Sequence, residues 1–258
     1  MPEPTRTDPP GPPRAGLFPH TRFSVLEATR SGEPHIREEA LETLTRAYWK
    51  PVYKYVRIHW NADPADAEDF TQAFFLRALD ADFFQRFDPA RARFRTWLRL
   101  CVNGFVSNER KAASRKKRGG ETLTLSLDFR DAEGELRRTE IAAGVDPDEF
   151  FRQESFRHLF AISLAELRDR LESAGRGHQF AVFEQYDLAP PDGPRPTYQD
   201  IADRAGVAVT QVTNWLHAVR RELRGIVLDS LRAISGTESE FREEAIELLG
   251  VDPADVDS

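Results

Sequence analysis

Residues 197–224 read TYQDIADRAGVAVTQVTNWLHAVRRELR. Thr197 with Asp200 three positions later is a capping pair, the mark of a helix start. Ile201, Ala202 and Ala205 are expected to face inward. Gly206 permits a tight turn, and Val207 is placed to fill the corner. A second helix is expected to begin near residues 208–210. Its Val212, Leu216, Val219 and Leu223 recur at spacings of four, three and four, one face of a helix. Thr210, Gln211, Thr213, Asn214 and His217 then lie on the outer, N-terminal face. Arg220, Arg221 and Arg224 lie further along. A helix-turn-helix uses that order of side chains, with base edges met by the first turns of the second helix and phosphates by its cations. A hairpin used only for packing has no need of it.

The surrounding chain argues against nucleic acid at first sight. It has 258 residues, a formal charge of −7 and a pI of about 5.5. The charge is unevenly divided, however. Residues 91–118 hold ten cations and one acid, Glu109, for a net +9, whereas residues 237–258 hold eight acids and Arg242, for a net −7. Fields decay over about 8 Å at physiological salt, so a polyanion responds to the local patch.

Helical periodicity dominates. Leu41, Leu44, Tyr48, Val52, Tyr55 and Val56 share one face, with Pro51 as a candidate kink. In NADPADAEDFTQAFFLRALDADFF, from Asn61, Asp63 can cap, Pro64 suits a first turn, and Asp66, Glu68 and Asp69 complement the positive helix end. Ala67, Phe70, Phe74 and Ala78 form an inward stripe. Glu68, Gln72, Phe75 and Leu79 form a second, which suits a partner. Asp66 and Asp69 are too few for a metal site, and no histidine stands at a suitable offset. FDPARARF reads as a turn, followed by a helix that Gly119 and Gly120 would stop. Residues 121–147 lack helical periodicity and read as a linker, with a short extended piece near residues 123–129. Beyond it come a long amphipathic helix ending at Gly175, another over HQFAVFEQYDL, the hairpin quoted above and an acidic coda. The expectation is an all-α chain. It divides into a disordered tail at 1–20, a helical domain at 21–120, the linker at 121–147, a helix-turn-helix domain at 148–235 and an acidic extension at 236–258.

The exclusions are equally informative. Cys101 is the sole cysteine, so there is no internal disulfide and no cysteine-rich zinc site. No apolar stretch approaches the ~20 residues that span a bilayer, and MPEPTRTDPPGPPRAG lacks the apolar core of a secretory signal. A cytoplasmic location is expected; a proline-rich docking motif is the alternative reading of the tail. No nucleophile elbow, P-loop, zinc-protease or dinucleotide motif occurs. No enzymatic activity and no cofactor are expected.

These pieces resemble a bacterial RNA polymerase sigma factor of the extracytoplasmic-function group, in a long variant with a C-terminal extension. DAEDFTQAFFLRAL looks like that group's region 2.2, which grips the polymerase clamp. RFRTWLRLCVNGFVSNERKAASRKKR is similar to regions 2.3 and 2.4, which melt and read the −10 element. The 197–224 stretch resembles region 4.2, which reads the −35 element. The resemblance implies that Asp66, Glu68, Asp69, Gln72 and Phe75 contact polymerase. It places the turn at residues 87–93 where the family captures a flipped base. It puts Arg93, Arg95, Trp97, Asn103, Asn108, Arg110, Lys111 and Arg115 on the melted −10 strand. Thr210, Gln211, Thr213, Asn214 and His217 would face −35 bases, with Arg220 and Arg221 on phosphates. Core RNA polymerase and promoter DNA are the implied partners, with room for an anti-sigma factor. A regulatory kinase acting on Thr71 of the clamp helix would add roughly −1.5 to −2 charges there.

The chain also departs from the pattern. Ala208 replaces a frequent capping serine, Thr213 a common lysine, and Trp215 and Ala218 common arginines. Trp215 is free to pack against another element. Asn108–Glu109 replaces an aspartate-containing stretch, so the family's −10 sequence does not carry over. A stand-alone helix-turn-helix regulator is the competing function, and an interaction scaffold with a vestigial reader is a third.

Overall fold

The computed structural model describes residues 25–78, 83–113, 127–138, 144–190, 193 and 195–255. Among these residues the fold is all-α, with no strand. Residues 1–20, the basic cluster at 115–118 and the glycines at 119 and 120 lie outside the described residues.

The helices are α1 (Val25–Ala28), α2 (Pro34–His59), α3 (Pro64–Ala78), α4 (Phe94–Ala113), α5 (Phe129–Arg138), α6 (Pro147–Ser173), α7 (Gly177–Asp187), α8 (Tyr198–Ala205), α9 (Val209–Ile234) and α10 (Glu238–Leu249). None of the described helices is long and apolar enough to cross a membrane.

Local chemistry sets most boundaries. Asp63 caps α3 by accepting from the Asp66 N–H at 2.9 Å. Asp146 accepts from Asp148 and Glu149 N–H ahead of α6, with Pro147 at its first position. Thr197 and Asp200 form the full capping box of α8. Gly206 takes φ 66° at the end of α8, in the left-handed region that side chains with a Cβ avoid.

Two cores are built side by side. The first packs α1–α5, the front half of α6, the tail of α9 and α10. At its centre is α2, which runs through Pro51 as one helix. The cost of a proline inside a helix, about 3 kcal/mol for the missing hydrogen bond and the ring clash together, is offset by burial of Val52, Tyr53, Tyr55 and Val56 with no exposed surface. The second core packs the rear half of α6, α7, α8 and the front of α9. The helix-turn-helix, α8 and α9, therefore stands on a second core that shares two long helices, α6 and α9, with the first.

Where the sequence shows no helical period, the structure has α5. Phe129, Ala132 and Leu136 pack into the first core. The acidic face of α5 meets the cations of α2. Lys50 donates to Asp131 and Glu135 at 2.8 Å, Lys54 to Glu135 at 2.7 Å and to Glu154 of α6 at 2.8 Å, and Arg57 pairs with Glu133. Hydrogen bonding from Arg57 holds the Glu133 carboxyl down to about 2. Burial works against Glu135, but its bonds to Lys50 and Lys54 prevail and also lower it to about 2.

Candidate nucleic-acid interface

The start of α4 is positioned by aromatic packing. Phe84, Phe87, Phe94 and Trp97 form a cluster with ring centroids 5.3–6.2 Å apart. Trp97 is half-buried in it, within 5.4 Å of Phe83 as well. The cluster fixes the turn before α4 and thereby the arginines around it.

Those arginines are engaged. Arg93 is exposed and pairs with Glu243 of α10. Arg95 is buried, 2.9 Å from Glu244 of α10, with its guanidinium 4.6 Å from the centre of the Phe156 ring. Arg99 is buried too. It pairs with Asp148 of α6 and donates to the Tyr55 hydroxyl at 3.3 Å. A pocket of about 200 Å³ opens beside them, bordered by Arg93, Arg95, Asp148 and Arg152.

Further along α4 the placements differ. Asn103 Oδ1 accepts from Tyr55 Oη at 3.0 Å and from Trp60 Nε1 at 2.9 Å, so it ties α4 to α2. Asn108, Arg110 and Lys111 are exposed. Arg110 donates to the Trp60 carbonyl at 2.7 Å and lies 5.3 Å over the Trp60 ring. Arg115 lies outside the described residues.

On α3, Asp66 and Asp69 are exposed, and Glu68 and Gln72 are half-buried. Phe75 is 3% exposed and packs edge-on against Phe74, so it presents nothing to a partner. Phe74 and Phe75, one from each stripe, are both buried, and α3 packs against α2 and α4; Leu79 lies outside the described residues. Thr71 has no exposed surface, and its hydroxyl donates to the Ala67 carbonyl at 2.7 Å. In this structure it offers no target to a kinase.

The start of α9 is bare. Thr210, Gln211, Thr213, Asn214, His217, Arg220 and Arg221 are all exposed. Val212, Leu216, Val219 and Leu223 are buried beneath them, at the expected spacing. Ala208 precedes α9 without a side-chain cap. Trp215 is half-buried, its ring 4.8 Å from His178 of α7, which accounts for an aromatic at that position. Arg220 is held by Asp187 through bonds of 2.9 and 2.8 Å. Ala205, expected inside, is exposed at the end of α8.

The acidic coda, expected either to cover the basic surfaces or to stand as a solvated terminal helix, carries acids whose spacing marks one face. Glu240, Glu243, Glu244 and Glu247 recur at three, one and three on one helix. Burial pushes the Glu244 carboxyl up to about 7, against the pull of Arg95, and burial raises Glu240 as well.

Residues 44–116, which contain α3, most of α2 and α4, match the family model described as Sigma-70 region 2. No curated protein and no solved structure matches the chain. That segment is therefore similar to Sigma-70 region 2. The match covers less than a third of the chain and likens this segment to a domain of transcription initiation factors.

Proposed function

We propose that this chain is a sigma factor of the extracytoplasmic-function kind, which directs core RNA polymerase to promoters by reading a −10 and a −35 element. The reading rests on one combination: a segment matching Sigma-70 region 2 is followed in the same chain by a helix-turn-helix with a bare, polar reading face. Thr210, Gln211, Thr213, Asn214 and His217 meet −35 bases in the major groove, and Arg220 and Arg221 reach phosphates. The α4 surface, with Arg93, Arg95, Trp97, Asn108, Arg110 and Lys111, takes the −10 strand, whose unstacked bases find aromatic faces beside the cations. Asn103 acts behind it as a positioning residue. Asp66 and Asp69, with Glu68 and Gln72 beside them, form the polymerase contact. Phe75 supports that helix from within. The polymerase performs the chemistry, and this chain supplies position. The factor works in the cytoplasm, where its DNA is.

A pull-down with core polymerase tests the reading. Asp66→Ala combined with Asp69→Ala removes two exposed carboxylates without touching the core. Binding should fall while helical content by circular dichroism stays constant. Unchanged binding overturns the clamp assignment and favours a stand-alone regulator, which has no use for that surface.

A further inference from the structure

Three positively polarised groups stand in a row where α4 begins: the Arg93 guanidinium, the Phe94 backbone N–H and the Arg95 guanidinium. Each faces a carboxylate of α10. Glu243 pairs with Arg93, Glu240 accepts from the Phe94 N–H at 2.9 Å, and Glu244 lies 2.9 Å from Arg95. The second oxygen of Glu240 accepts from the Gly236 N–H at 2.8 Å. The residues joined are about 150 positions apart in sequence, so nothing local dictates the match.

Packing alone does not account for these acids. Phe241 and Ala245 already anchor α10 in the first core. Glu240 and Glu244 are 6% and 3% exposed. Burying a carboxylate costs several kcal/mol before any attraction is counted, and apolar residues of similar size are often neutral or stabilising in such places. Among the described residues Glu244 Oε1 has no aligned hydrogen-bond partner despite its closeness to Arg95. Acids spaced three and four apart on one helix face do, however, present a row of negative oxygens, as a phosphodiester backbone does.

The link between α9 and α10 is short and packs with the docked helix: the Gly236 N–H is held by Glu240, and Gly236 lies against the Phe87 ring. Helix α9 ends at Ser235 in extended backbone, followed by Gly236. A helix of α10's length is marginal on its own in water, so its order depends on docking.

We propose that α10 is an autoinhibitory occupant of the α4 surface: Glu240, Glu243 and Glu244 stand in for the phosphates of a single DNA strand and must leave before that strand binds. This rests on the reading of α4 as DNA-facing. The bare α9 surface remains available while α10 is docked, so the free chain engages duplex before it engages a melted strand. When the competent state is a small fraction of the population, about 0.1–10%, apparent affinity falls by that fraction.

The test uses the full chain and a short fluorescein-labelled single-stranded oligonucleotide of mixed sequence, read by anisotropy. Glu240→Gln, Glu243→Gln and Glu244→Gln together keep shape and remove the charges. Affinity should rise about tenfold or more over the parent chain. Glu38→Gln, Glu39→Gln and Glu42→Gln on α2 remove as many charges elsewhere and should change it far less. Glu243→Gln alone, at an exposed pair, should give a smaller gain without risk to the fold. No gain for the triple variant or the single one overturns the proposal, and so does an equal gain in the α2 variant. A parent chain that drives initiation with core polymerase while the variants bind no better sinks the masking alone. A parent chain that never drives initiation sinks the sigma reading itself.

Discussion

The starts of α4 and α9 are both helix beginnings with polar and basic side chains around them, yet one is covered and the other is bare. At α4 the arginines are held by carboxylates of α6 and α10, and two of them are buried. At α9 the proposed reading residues are exposed over an apolar underside, and among the described residues Arg220 is the one of them held by an ion pair. The difference shows that cations of the same local pattern can serve stability in one place and remain available in another. Which role they take is decided by segments far away in sequence.

Arg95→Ala should break that comparison most forcefully. It leaves the buried Glu244 without its partner, and breaking a buried pair costs about 3–5 kcal/mol. Denaturant unfolding at pH 8, above the Glu244 value of the parent chain, should show a loss near the lower figure. A loss within about 0.5 kcal/mol, the level of an ordinary surface change, would mean that Arg95 is as free as the α9 residues. Asn214→Ala is the counterpart. Its unfolding free energy should stay within about 0.5 kcal/mol of the parent, while duplex promoter binding weakens by about 1–3 kcal/mol. A variant that unfolds early instead would place Asn214 in the fold rather than in the reader.

Acidity sharpens the contrast. Glu244, buried against Tyr48 of α2 with Arg95, Arg93, Glu240 and Glu247 around it, has its carboxyl raised to about 7. Its folded value lies above the unfolded 4.5, so its contribution is present at low pH and is lost as pH rises through about 7. His158 acts oppositely. Burial lowers it to about 4, so its contribution grows as pH rises from there towards 6.5. The difference between the parent and Glu244→Gln isolates the α10 part. The parent should lose stability relative to the variant between pH 5 and 8 by at most about 1.4 kcal/mol per pH unit. A flat difference would mean that Glu244 is solvated and α10 loosely held. Smallest is Thr197→Ala, which removes the α8 cap at a cost of about 1 kcal/mol. It should loosen the reader and leave the α10 contacts to α4 unchanged, as hydrogen exchange of the two helices would reveal.

The features that were legible in the sequence are local ones. Thr197, Asp200 and Gly206 announced α8 and its turn, and the four buried residues of α9 announced its inner face, because caps and period act within a few residues. Helix α5 was hidden by Gly134 and a crowd of charges, whose partners lie about eighty positions away on α2. Phe75 looked like a partner residue because its stripe is apolar. A stripe alone cannot tell a second neighbouring helix from a second protein. The side chains of Asn103 and Arg95 fit a nucleic acid, and they equally fit Trp60, Tyr55 and Glu244, so residue type alone does not decide between the two.

Run-off transcription with purified chain and core RNA polymerase, followed by mapping of RNA 5′ ends on DNA of the same genome, tests the central claim most directly. The sigma reading predicts discrete start sites that need this chain and that weaken when Asp66 and Asp69 are both replaced by alanine. No initiation above core polymerase alone, at any site, would contradict it.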